Sequence, residues 1–524
     1  MVPGTRLLKI SSLLIALAVF PLCQSAHALQ RTWNNTGATD FNATTSWSGT
    51  ILGNVGAFTT AEVSQPNLTA SISVAGLFFN AVSGFDLTSS SSAFSLTLTG
   101  TATTGGGTES SPSSAAAIAS TNTSGTNTID AALTLAPSTG STSTFFQATG
   151  GTLVVNGAIS GTSIALELNS SSTGGTIQLT GTNTYTGNTQ ITGNVTASVS
   201  TIGNSGANGN LGAGTTINFG GGSGSGTLLY TGSGETTTKI INLNGTTGGA
   251  IIDQSGASGL LKFTADLTAT GASSKTLTLQ GSTAGTGEIS GAIVDNSGTN
   301  KTSLTKAGTG TWTLSGTNTY TGTTTINASG GTLEVANNGS TTNGRIASTA
   351  TITVNSSGTL LLSGSGSADR INNSAGITLG GGTLAKGSGV NEGSTSAVGM
   401  GALTLTATGS KIDYTSTAGT LTFTSFTPST FTLSIIDYIG TGSPGGTDQL
   451  IFNQDQATRL GSFDFGFGAG VNVAESNLGG GFFEVYSTTP VPEPSTWIGG
   501  ALALLAVGLM TRKRFIKKAE TLKA

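Results

Sequence analysis

The chain has 524 residues, of which 81 are Gly and only 8% are charged, and its formal net charge is −4. Gly and β-branched Thr disfavour helix interiors, which excludes an ordinary helical protein, while short alternating apolar runs exclude a wholly disordered one. Setting aside Arg6, Lys9, Glu493, Glu520 and the six basic residues from Arg512 to Lys523 leaves 11 basic against 21 acidic residues, a balance that offers no electrostatic footprint for nucleic acid.

Residues 1–28 read as a secretory signal for Sec-type export. Arg6 and Lys9 supply the positive n-region, ISSLLIALAVFPL the apolar h-region, and Ala26-His27-Ala28 the small-x-small cleavage pattern, with Ala26 and Ala28 at the cut. FPL before Cys23 lacks the small residues of a lipobox. Cleavage near Leu29 would remove the only Cys and the only His. The mature chain would then hold no disulfide, thiol nucleophile, imidazole base or zinc-type ligand, and no metal or cofactor is expected.

Residues 29–100, with Trp33 and Trp47, are expected to form an N-terminal β entry and cap region, with LTASISVAGLFFN as entry strands, and the Ser/Thr/Gly-rich stretch 101–145 degenerate coils or a loop. From 146 to 425 the chain repeats itself. LTGTNTYTGNTQITG (Leu179 to Gly193) returns as LSGTNTYTGTTTINA (Leu314 to Ala328), with eleven of fifteen positions identical or nearly so. A shorter period is marked by Gly-Thr before an apolar strand, at Gly151, Gly175, Gly226, Gly331, Gly358, Gly382 and Gly419. TITVNSSGTLLLSGS (Thr351 to Ser365) alternates apolar and polar residues about a polar turn, so each strand sends one face inward. These signals predict an all-β chain folded as a parallel β-helix, a solenoid of roughly 11 or 12 coils at ~24 residues each, ~55 Å long. Residues 426–488, where many aromatics gather, are expected to form a C-terminal β cap, since open solenoid ends would expose strand edges.

Residues 489–524 hold Pro492-Glu493-Pro494, an apolar run from Trp497 to Met510 and the cluster Arg512-Lys513-Arg514. The run would make a short transmembrane helix of ~21 Å against a ~30 Å hydrocarbon core, with the basic tail held in the cytoplasm.

Two resemblances follow from these residues. TSLTKAGTGTWTLSGTNTYTGTTTINASGGTLEV (Thr302 to Val335) resembles the autotransporter-associated β-strand repeat of bacterial surface proteins in the order of Leu304, Lys306, Gly308, Gly310, Trp312, Leu314, Gly316, Asn318, Tyr320 and Gly322. That likeness implies a right-handed helix and surface exposure, although no stretch after 425 is long enough for an autotransporter's translocator barrel. The tail resembles a PEP-CTERM sorting signal, which implies recognition of Pro492, Glu493, Pro494, Arg512, Lys513 and Arg514 by a membrane exosortase and only transient anchoring in the inner membrane.

Trp312, Tyr320 and Tyr185 are candidate sugar-stacking rings, weighed against a packing role at repeat-fixed positions. Carboxylates are nearly all singletons in sequence, although Asp413 and Asp437 have the spacing of one coil. GGSGSGTLL (Gly221 to Leu229) imitates a calcium-binding nonapeptide but has Gly226 where the Asp should stand. The resulting expectation is an exported, non-catalytic surface or matrix protein, in contact with extracellular polysaccharide or other surface proteins. A polysaccharide-binding or polysaccharide-degrading β-helix is the alternative.

Overall fold

A computed structural model describes residues 30–491 except 35–36, 38, 61–63, 81, 101–115, 139, 149, 171–173, 338–345, 347–350, 366–368, 416 and 428–429. The chain winds as a parallel β-solenoid with three faces. The first face is a single 15-stranded sheet from Asn67–Leu68 to Phe426–Thr427. The second has four strands from Ile72–Val74 to Ile159–Ser160 and, further along the rod, ten from Glu235–Thr237 to Phe463–Asp464. The third has nine strands from Gln30–Thr32 to Ile240–Leu243, narrows to single bridges through Thr268, Asn318, Ile346 and Ile371, and widens again at Gly419–Phe423.

The alternation seen in the sequence sets the inside of each coil. Thr351–Asn355 and Thr359–Ser363 bury every second residue, and Ser357, at φ +60°, helps turn the corner between them. Ile352, Val354, Leu360 and Leu362 are fully buried against the coils on either side. Burial of such a side chain stabilises the fold by roughly 1.5–3 kcal/mol, and the stack repeats this from coil to coil.

Eleven strands of the first face lie between residues 146 and 425, in agreement with the coil number expected from the repeats. The solenoid nevertheless extends past both limits. Three earlier strands of the same sheet, from Asn67–Leu68 to Thr126–Ile129, carry the winding through the described residues before 146, and Phe426–Thr427 adds one more strand beyond 425. These earlier strands lead into the repeats, and a plug of aromatic side chains closes their outer end. At ~4.8 Å between strands the fifteen make a rod on the order of 65 Å long.

Aromatic side chains close both ends. Trp33, Phe41, Trp47, Phe58, Phe79 and Phe85 form one contiguous cluster, with the Trp33 and Trp47 rings 5.0 Å apart edge to face. At the other end Phe423, Phe426, Phe452 and Phe463 pack together. There Phe482–Ser487 adds antiparallel to Asp448–Phe452, and Val473–Gly479 adds antiparallel to Phe482–Ser487, covering the edge that the last parallel strand would expose.

The signal segment, with Ala26 and Ala28, and the tail, with Pro492, Glu493, Pro494, Arg512, Lys513, Arg514 and the expected transmembrane run, lie outside the described residues. Among the described residues no helix is long and apolar enough to cross a membrane.

Candidate interaction surface

The three rings singled out by the repeats point inward. Trp312, Tyr320 and Tyr185 are each 0% exposed, so sugar stacking on them is corrected to packing. Trp312 lies against Gly287 of the preceding coil, where a Cβ would come within 2.4 Å of the indole, and its Nε1 donates to the Gln280 carbonyl at 2.9 Å. Each Tyr hydroxyl hydrogen-bonds the Thr four residues on, Tyr185 to Thr189 at 2.6 Å and Tyr320 to Thr324 at 2.7 Å. Burial pushes both phenol pKa values up, as expected where the phenolate would be desolvated.

The Asn of the same motif replaces a missing strand partner. Asn183 Oδ1 accepts the Ile159 N–H at 2.8 Å and Asn318 Oδ1 the Ile293 N–H at 3.0 Å. Residues of the preceding coil are thereby paired where the backbone ladder is interrupted.

Lys306, in the same motif, is also internal. Its ammonium donates to the carbonyls of Ala307, Gly308 and Gly330 at 2.7, 3.0 and 2.7 Å. Burial pushes its pKa down to about 8. Lys239 caps the Gly212 and Gly214 carbonyls and is likewise lowered to about 8 by burial, against the opposing pull of Glu235. These cations staple coil corners.

The outside of the first face carries a feature that sequence spacing did not expose. Following the register from coil to coil, Thr126, Thr152, Thr176, Thr196, Thr227, Ile251, Thr278, Thr305, Thr325, Thr353, Thr378, Thr404 and Thr427 stand in one column. The sole interruption is Ile251, also β-branched. On the second face Thr286, Thr311, Thr332, Thr359 and Thr383 stand in another. The Gly-Thr signature is the trace of these columns, since Thr152, Thr176 and Thr227 belong to the first and Thr332, Thr359 and Thr383 to the second. None of the column residues is buried.

Singleton carboxylates become members of polar ladders. Glu167 accepts from Thr144 and Thr192 of the flanking coils at 2.7 and 3.1 Å, Glu334 from Thr313 and Ser363 at 2.8 and 2.5 Å, and Asp253 from Gln280 at 2.7 Å. Asp413 pairs in register with Ile436, so Asp437 stands one residue off the position that a spacing of one coil would give it. Burial, with a contribution from Asp413, holds the Asp437 carboxyl above its ordinary range. Among the described residues no group of three or more His, Cys, Asp or Glu could hold a metal ion.

At the C-terminal end lies a buried titratable cluster whose members no sequence spacing would join. Lys386 and Asp448 have fully buried side chains, with Nζ 3.8 Å from Oδ1, and the ammonium sits 5.3 Å from the centre of the Tyr414 ring. Burial raises the Asp448 carboxyl to about 6, against the Ile439 N–H, Lys386 and the Gly419 N–H, which pull it down. Glu484, also buried, accepts from Gly445 N at 2.8 Å, and burial raises it as well.

Comparison with known proteins agrees with the repeat geometry. Over 90 residues the chain is 42% identical to the adhesin BmaC autotransporter of Brucella suis biovar 1 (strain 1330), a stretch covering 17% of this chain and 2% of that protein. The chain thus spans about 2% of the length of the curated relative it matches. No solved structure matches it. Residues 174–193 and 304–335 match the Passenger-associated-transport-repeat family model, and these two segments contain the Asn, Tyr and Thr positions whose contacts recur above.

Proposed function

We propose that this chain is an exported, non-catalytic structural or adhesive protein of the cell surface or extracellular matrix. The observation that carries the reading is the long column of outward threonine hydroxyls along a rod whose repeats are similar to those of a surface adhesin. Identical weak hydrogen-bonding sites at a regular spacing suit a repetitive partner, because many weak contacts sum through multivalency. Extracellular polysaccharide is the partner of that chemistry, and other surface proteins are the alternative.

Pro492, Glu493 and Pro494, with the basic cluster Arg512 to Arg514, would direct the exported chain to an exosortase-type processing enzyme, after a Sec-type signal ending at Ala28. Intact mass of the protein recovered from cell surface and medium tests this. Termini near Leu29 and Pro494 are expected. A product retaining Arg512 to Ala524 would replace the sorting reading with a permanent membrane anchor and leave the surface role standing.

A further inference from the structure

Two ion pairs among the described residues have both side chains fully buried, Arg370–Glu392 at 3.3 Å and Lys386–Asp448 at 3.8 Å, and only the second brings a primary amine to the carboxylate. The other fully buried lysines described, Lys239 and Lys306, are held by backbone carbonyls and make no ion pair. Lys262 pairs with Glu288 at 2.8 Å, but its side chain is 30% exposed. Lys386 is in ion-pair contact with a carboxylate where neither side chain meets solvent.

We propose that Lys386 and Asp448 condense to an intramolecular isopeptide bond. The amine is aimed by three acceptors, the Thr417 carbonyl, Thr417 Oγ1 at 3.2 Å and the Ala418 carbonyl at 3.1 Å. Gly419 makes room for it, since a Cβ there would lie 2.9 Å from Nζ. On the acid, Oδ2 accepts the Ile439 N–H at 2.7 Å, whereas Oδ1, the oxygen nearest the amine, has no hydrogen-bond partner. One oxygen is therefore held by a donor suited to stabilise negative charge, and the other is free to leave. Reacting groups fixed a few ångströms apart gain much of the advantage of an intramolecular reaction.

Proton transfer within the desolvated pair gives a neutral amine and a carboxylic acid, both favoured by burial, which lowers the Lys386 pKa and raises that of Asp448. Asp413 is the other carboxylate acting on the Lys386 charge, and the Tyr414 ring walls the site. Nζ attacks Cγ of Asp448, forming the C–N bond, and the negative charge on Oδ2 is met by the Ile439 N–H. A proton passes from Nζ to the Oδ1 hydroxyl, the Cγ–Oδ1 bond breaks, and one water leaves. No oxidant, reductant or co-reactant is consumed, and exclusion of water disfavours the reverse hydrolysis.

The bond would tie a strand of the second face, Thr383–Lys386, to Asp448–Phe452, the strand on which the closing hairpin is built. A rod held at its C-terminal end would carry its load through this junction.

Tandem mass spectrometry of a tryptic digest of the full protein recovered from its host decides the matter. A branched peptide joining Lys386 to Asp448, lighter by one water than its two linear parts, is expected, together with loss of cleavage after Lys386. No such link should join Lys262 to Glu288. Asp448→Ala, or Lys386→Arg if the first variant does not fold, should abolish the branched peptide and, in the Asp448→Ala protein, restore cleavage. Recovery of wild-type Lys386 in a linear peptide, with no mass deficit in the intact chain, would overturn the proposal.

Discussion

Asn183 and Asn318 occupy the same position of the long repeat and accept the same kind of hydrogen bond, yet they stand at different faces of the solenoid. Following the ladder from Ile177 through five coils leads to Lys306. The motif equivalent of Ile177 is instead Trp312, on the next face. The repeat is therefore a strand-and-corner unit, five coils and one face apart, and it serves the corners of two different faces.

Removing one of these side-chain acceptors should open the solenoid locally. Asn318→Ala leaves the buried Ile293 N–H unpaired, at a cost of about 1–3 kcal/mol. Because a solenoid's stability is summed over neighbouring repeats, the change should show as faster hydrogen exchange at Ile293 and the adjoining coils, with the N-terminal plug unaffected. Unchanged protection at Ile293 would contradict the role assigned to Asn318.

The buried ring predicts a stability effect in place of a binding effect. Trp312→Ala empties a core site and should cost ~3–5 kcal/mol. Gly287→Ala should also destabilise, because its Cβ would fall 2.4 Å from the indole. Trp312→Phe, which keeps most of the volume, should bind glycans on an array as the native protein does.

Lys306 predicts a pH dependence of known sign. Burial lowers its folded-state pKa to about 8 from 10.5, so between these values the unfolded chain binds more protons than the folded one. Stability contributed by this group therefore rises with pH across that window. Urea unfolding of the native chain and of Lys306→Met, compared at pH 8 and pH 10, should show the native chain gaining on the variant. At pH 7 the variant should still be the weaker, since the carbonyls of Ala307, Gly308 and Gly330 lose their shared donor.

The threonine column separates folding from binding. Replacing Thr278, Thr305, Thr325 and Thr353 together by Val keeps β-branched side chains on a half-exposed strand surface. Each change should alter stability by no more than ~0.5 kcal/mol, as Ile251 in the same column suggests. Retention of the protein in an extracellular polysaccharide fraction should fall. Full retention by the fourfold variant would remove the column from the proposed function.

The candidate surface was only partly legible. Gly-Thr before an apolar strand pointed to the period, but not to the alignment of those threonines, because coil length varies. The coil from Thr176 to Thr196 is much shorter than the next one, from Thr196 to Thr227. Trp312 read more as a packing residue than as a sugar platform, but alternation alone could not decide between them, since it marks two faces of a strand without saying what a neighbouring coil leaves room for. Gly287 settles that, and it lies a whole coil back along the chain.

By itself the sequence determined the class of fold and the number of coils from 146 to 425, because period-two alternation and polar corners are local properties of each strand. It also marked where the closing aromatics would gather. Only the tertiary structure decided which residues become neighbours across coils: the face each repeat occupies, the threonine column, the Asn-capped amides, and Lys386 beside Asp448. Lateral register depends on the accumulated length of every intervening corner, and a shift of one residue turns a strand's buried side chains outward.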